Sequence, residues 1–227
     1  MPRLPRNRRQ ELEEALAHAL GRVCGSARRR TLEVLGMPPQ LERMTQEVWD
    51  LLRGEFQQAL GQPLEAVYIA ALGIMAGEIG VILDVALANT WAAEWARQYG
   101  YELVTGINNT SRDMLREAVG AFYERPMSLG ELRGRVGTIY SPVRAEMIAA
   151  TEVTRAQSEG EQQYAAELQR QGVRTAPFWE GDGDECLLCA DRVGKPITDG
   201  QYPPLHPRCD CWTRYQVVLE GEPLYAD

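Results

Sequence analysis

Histidine is scarce in this chain, with His18 and His206 the only two among 227 residues. No Ser/His/Asp constellation is visible around either, and no glycine-rich phosphate loop is present, so the familiar nucleophilic and nucleotide-binding arrangements find no support. An apolar leader is also missing. The basic stretch 3–9 runs straight into the charged stretch 10–14, so no secretory signal is expected and the chain should begin life in a reducing cytoplasm. Nor is there an uninterrupted run of about 18 apolar residues of the kind a membrane span needs. The most apolar stretch, 66–95, is broken by Glu78, Asp84 and Glu94 and diluted by Gly73, Gly77 and Gly80. It predicts a core helix carrying Ile74, Ile79, Ile82, Leu83 and Leu87, the glycines allowing neighbouring helices to approach, and no membrane partner. Internal repeats and low-complexity tracts are absent too.

What is present begins with charge. A formal charge of -8 argues against a protein that coats nucleic acid with its whole surface, because phosphate neutralisation needs a basic face. The charge is uneven, since residues 1–30 hold eight arginines against three glutamates. Arg3, Arg6, Arg8, Arg9, Arg28, Arg29 and Arg30 are therefore candidate contacts for DNA or an acidic partner; the plainer reading is a solvated helix end.

Period and punctuation predict a mainly α chain in three parts: a basic helical arm over 1–34, a helical body over 35–172, and a Cys/His module over 173–227. In the body, Leu41, Met44, Val48, Leu51, Leu52, Phe56 and Leu60 recur at three and four, with Gly61 and Pro63 expected to close that helix. The next long helix is expected to end near Tyr99 and Gly100, with Thr110 and Asp113 as the capping box of its successor. Ser128 with Glu131 forms another such box. Ser141 and Pro142 are an N-cap and first-turn pair for a helix reaching Gln171, on which Val143, Met147, Ala150, Thr154 and Ser158 share a face. Glu152 lies beside that face with Arg155 as its nearest partner. From Val173 the texture turns to proline, glycine and cysteine, predicting a small α+β unit. Phe178 and Trp179 mark its first strand, 181–183 a turn, and 211–219 a second strand packed through Trp212, Tyr215 and Val217.

Four of the five cysteines and one histidine fall within 26 positions, as Cys186-x-x-Cys189 and His206-x-x-Cys209-x-Cys211. Two short hinges of soft and borderline ligands are what tetrahedral zinc requires, although five candidates compete for four places. Pro203, Pro204 and Pro207 stiffen the second hinge, and a module of about 50 residues gains a fold from such a staple. A disulfide such as Cys189 to Cys209 in an oxidised particle, or plain thiol packing, are the alternatives. So many thiolates predict a closed, structural zinc rather than one that activates water, and no enzyme activity is expected. Seven carboxylates against three basic groups over 178–211 argue against phosphate binding by the module.

The order of residues then invites a comparison. Arg144-Ala-Glu-Met-Ile-Ala-Ala-Thr151-Glu152, Arg155-Ala156, Gly160, Trp179, Cys186-Leu-Leu-Cys189, Gly194-Lys195 and Pro203-Pro-Leu-His206-Pro-Arg-Cys209-Asp-Cys211 together resemble the phage head-morphogenesis family, the minor head proteins of the Mu F type. The likeness covers about residues 130–215, with Asn89, Trp91, Trp95 and Leu115 merely compatible upstream. It implies a structural virion protein, made in the host cytoplasm, associated with the portal and with capsid or scaffold proteins, and needed in head assembly or DNA packaging. It implies interaction roles for Thr151, Glu152, Arg155 and Trp179 between helical body and zinc module. Two departures from the family pattern, Ala150 and Asp210, each stand where an arginine is common, so roles resting on those arginines do not carry over. The competing expectations are a zinc-dependent hydrolase or toxin-like enzyme, and a DNA-binding regulator. Beside Cys186, Cys189 and Cys209, either His206 or Cys211 can complete a tetrad.

Overall fold

A computed structural model describes residues 4–183 and 186–219. Arg3 lies outside them. Five helices come first: α1 Arg6–Leu35, α2 Gln46–Ile79, α3 Val85–Glu124, α4 Leu129–Ile139 and α5 Pro142–Arg170. A short 3-10 turn, Leu41–Arg43, joins the first two. The chain then forms β1 Arg174–Glu180, the one-turn α6 Leu187–Ala190 and β2 Trp212–Val218. The fold is thus mainly α with a small C-terminal two-stranded sheet beside the Cys/His cluster.

Leu16 and Leu20 of α1, Leu52, Phe56, Leu60 and Leu64 of α2, Val104 and Leu115 of α3, Leu132 and Val136 of α4, and Val153 of α5 share one apolar core. Because α1 feeds this core through Leu12, Leu16, Leu20, Cys24 and Ala27, it is part of the bundle rather than an appended arm. Two polar side chains that enter the core are matched. Asn108 Nδ2 donates to the Trp49 carbonyl at 3.1 Å, and Arg144 donates to Ser111 Oγ at 2.9 Å and to the Ile139 carbonyl at 2.7 Å.

Three sequence expectations about helix ends fail for one reason. α2 runs through Gly61 and Pro63, because Leu64, Val67, Ala71 and Leu72 continue its buried face, and burial outweighs the penalty of about 3 kcal/mol for an internal proline. α3 likewise continues past Gly100, and Thr110 is no cap: its hydroxyl donates back to the Gly106 carbonyl at 3.0 Å. The break lies instead at Gly80, which adopts φ 75°, and at Asp84, whose carboxylate accepts from Ala86 N and Leu87 N at 3.0 Å each. Ile82, placed in a core helix by its neighbours' apolarity, sits in this connection at 96% exposure. Ser128 and Glu131 do form the capping box, and Ser141 caps α5.

Gly73 and Gly77 meet no neighbour; the close approach occurs at Gly160, where a Cβ would stand 3.1 Å from the Tyr68 carbonyl oxygen. Among the described residues α2 alone passes as a membrane span by length and hydropathy, but Trp49, Leu52, Phe56, Leu60, Leu64 and Val67 on it are buried within the bundle.

Candidate metal centre

β1 and β2 pair antiparallel, with Arg174 opposite Val218 and Glu180 opposite Trp212. The other edge of β1 is covered by 194–197, since Trp179 N donates to the Lys195 carbonyl at 2.9 Å and Gly194 N to the Trp179 carbonyl at 2.8 Å. Trp179, 1% exposed, is the largest member of a small core completed by Cys189, Ile197, Cys209 and Cys211. On β2 the inward side chains are Thr213 and Val218, not Val217, which is 40% exposed; Trp212 and Tyr215 are half-buried.

The two hinges fold alike. In the first, Cys189 N donates to the Cys186 carbonyl at 3.0 Å; in the second, Cys209 N donates to the His206 carbonyl at 3.2 Å. Arg208 closes the second turn at φ 57°, a conformation more usual for glycine. The turns bring two overlapping ligand clusters together, Cys186/Cys189/His206 and Cys189/Cys209/Cys211, in each of which the candidate ligand atoms lie within 4.8 Å of one another. These clusters can coordinate a metal ion.

Part of the geometry already suits a metal. His206 Nδ1 lies 2.9 Å from the Pro207 carbonyl oxygen, which can only accept, so Nδ1 carries the proton and neutral imidazole presents a lone pair at Nε2. Nε2 faces Cys186 Sγ at 3.0 Å and Cys189 Sγ at 3.3 Å, and Cys189 Sγ stands 3.8 Å from Cys209 Sγ. Zinc bonds of about 2.3 Å to sulfur and 2.0 Å to nitrogen put tetrahedral edges near 3.8 and 3.5 Å, so the thiol edge already matches and the imidazole needs to withdraw slightly.

Within the thiol pair, hydrogen bonds from the Cys211 thiol and backbone hold the Cys209 pKa below the usual thiol value, against burial. Cys211 moves the other way: its bond to Cys209 and its burial raise it, while the Trp179 indole pulls it back. Burial, with Cys209 alongside, raises Cys189. The neighbouring cleft of about 130 Å³ nevertheless opens on Cys186, Cys189, His206 and Cys211, with Asp182 and Asp210 at its wall.

The helical body grips the second hinge. Thr154 Oγ1 donates to the Cys209 carbonyl at 2.6 Å, Arg9 Nη2 donates to Thr154 Oγ1 at 2.8 Å, and Arg208 N donates to Thr151 Oγ1 at 3.0 Å. Arg9 also pairs with Asp210 at 3.0 Å and Glu13 at 2.7 Å, and Arg6 pairs with Asp182 at 3.2 Å. The arginines read from sequence as a DNA-facing group are therefore divided. Arg9 is 6% exposed and committed to the hinge, Arg8 pairs with Glu11, Arg30 with Glu55, and Arg28 packs against Gly137. Arg29 lies along α1 with its side chain 3.8 Å from the Cβ position of Gly25.

Of the α5 motif, Thr151 reaches the module but Glu152 does not. Glu152 accepts from the Tyr99 hydroxyl of α3 at 2.7 Å, with Arg155 at 3.5 Å, and burial raises its pKa against both partners. The face expected for α5 holds in its second half, where Thr154 and Ser158 are buried, but not at its start, where Val143 is 64% exposed while Ala145 and Ala149 are buried. Sequence reading missed Arg9 and Thr154 as hinge supports. The acidic Asp210 between Cys209 and Cys211 was the available hint of a basic partner.

With this geometry in hand, comparison with known proteins adds no name: no family model, no curated protein and no solved structure matches the chain.

Proposed function

We propose that the chain is a structural assembly protein, a minor head protein of phage type, whose C-terminal hairpin is fastened to its helices by zinc on Cys186, Cys189, His206 and Cys209. The reading rests on one observation above all. Thr151 and Thr154, inside the α5 stretch that resembles the head-morphogenesis family, hydrogen-bond the very turn that carries His206 and Cys209, so motif and ligand hinge form one unit. Bound zinc supplies a crosslink between two turns that share little apolar surface. Cys211 then stands beside Cys189 and Cys209 as the ligand candidate left out of the tetrad. No catalytic step is assigned, and portal and capsid proteins are the partners.

The test begins with the gene neighbourhood and continues with co-expression of the chain with any portal, scaffold and capsid genes found there. The proposal expects the chain to sediment with assembled heads in a few copies, and heads made without it to be fewer or empty. A chain that stays free of complete heads refutes it.

A zinc hydrolase is the second reading, favoured by the cleft that opens on Cys186 and His206 beside Asp182 and Asp210. It requires an ion held by three side chains with a water in the fourth place. Both aspartates are engaged by arginines, which weakens either as a base.

A further inference from the structure

Neither the metal hinge nor the bundle core accounts for the cleft between α2, α3 and α5. Trp91, Glu94, Trp95 and Gln98 are spaced by three and four along α3 and so share a side of it. With Tyr68 from α2 and Glu159 and Gln162 from α5, they line a cavity of about 400 Å³. Its aromatic floor is held in place. Tyr68 is 3% exposed and its ring lies 5.3 Å from Trp95, which stacks on Tyr99 at 4.9 Å with 9° between the planes. Arg155 already sits over the far end of this row, 5.6 Å from the Tyr99 ring centre.

The walls carry two carboxylates, Glu94 exposed and Glu159 half-buried. Among the described residues, neither Glu94 nor Glu159 has a hydrogen-bond or ion-pair partner. Burial raises the Glu159 pKa, with Arg155 pulling it back only in part. A half-buried carboxylate over indole rings is disfavoured as it stands and is relieved by a cation brought to it. Phosphate would be repelled by the same two groups.

We propose that this cleft binds an arginine side chain presented by a basic peptide segment of a partner protein. The guanidinium plane lies on the Trp91 and Trp95 indoles, and Glu94 and Glu159 accept at its edges. Arginine is preferred over lysine because a planar, weakly hydrated fork stacks on an aromatic face and meets two carboxylates at once, whereas an ammonium keeps its water. The chain's formal charge of -8 draws basic segments towards it.

The test uses the full chain with its tryptophan indoles labelled with 15N, titrated with a blocked eight-residue glycine/serine peptide bearing one central arginine. The expected result is saturable movement of the Trp91 and Trp95 indole signals, with Trp49 and Trp179 unmoved. The E94Q/E159Q double variant, its backbone spectrum otherwise matching the parent, should bind at least tenfold more weakly. Absence of movement at the highest soluble peptide concentration overturns the proposal. So does equal affinity for the lysine or alanine version of the peptide, or an unchanged affinity in the double variant. The outcome is independent of zinc and of the head-protein reading.

Discussion

The helical body and the C-terminal module solve the same problem with unequal means. The body draws leucines, alanines and aromatics from five helices into a continuous interior, in which Leu16, Leu52, Leu60, Leu64, Val104 and Leu115 are fully buried. The module buries Trp179 and Ile197, and its other core members are Cys189, Cys209 and Cys211. Apolar burial at about 25 cal/mol per Å² can hold the first unaided, while the second has little of it and leans on the helices beneath. The two parts meet at Arg9, Thr151 and Thr154, and there the weaker part borrows order from the stronger.

Removing the metal should separate the two parts most sharply. Structural zinc is worth on the order of 10 kcal/mol to small modules, so C189S or exhaustive chelation should unfold residues 173–219. Trp179 should become solvent-exposed by fluorescence while the helical circular dichroism is kept in large part. Loss of all helical signal would mean that the body depends on the module too.

The converse substitution is L64A, at a site with no exposure in the bundle core. A cavity there should cost about 2–5 kcal/mol by chemical denaturation and leave the metal content per chain unchanged. A fall in bound metal would show that the parts are less separable than their cores suggest.

The seam between them contains Glu161, buried on α5, accepting from Gln157 Nε2 at 2.9 Å and close enough to Tyr215 of β2 to influence it. Burial pushes its carboxyl up to about 8, against the Gln157 hydrogen bond, with Glu78 adding in the same direction. The folded state thus holds this proton more tightly than the unfolded chain does. Its contribution is complete below the unfolded value of 4.5 and is lost as pH rises through about 8. E161Q should remove that slope, at most about 1.4 kcal/mol per pH unit, so the variant gains on the parent between pH 5 and 8. Parallel stability curves would contradict the assignment.

The smallest effect concerns the clasp itself. R9A removes the donor to Thr154 and the Arg9–Asp210 contact, which should cost about 1–3 kcal/mol. Asp210 is half exposed, so most of the loss should come from the buried Thr154 bond, and a cycle with D210N should show coupling of about 0.5 kcal/mol or more.

Much of this division was legible in the sequence. The two ligand hinges, the Ser128 box, the Ser141-Pro142 start and both strands follow from local chemistry, because caps and turns are fixed by neighbours in the chain. Helix ends at Gly61, Pro63, Gly100 and Thr110 were misread, since burial of Leu64, Val67 and Val104 decides them and burial is not local. The role of Arg9 was hidden for the same reason: its partners Thr154 and Asp210 lie 145 and 201 positions away. Which four of five ligands bind was undecided by spacing. The choice of His206 depends on the Pro207 carbonyl fixing its tautomer, a contact that spacing does not reveal.

X-ray absorption at the zinc edge of the metal-loaded full chain tests the central claim most directly. The account predicts one zinc per chain with three sulfur neighbours at about 2.3 Å and one nitrogen at about 2.0 Å, unchanged in C211S and altered in C209S. An oxygen neighbour in the first shell, or a C211S protein that loses a sulfur, would contradict it.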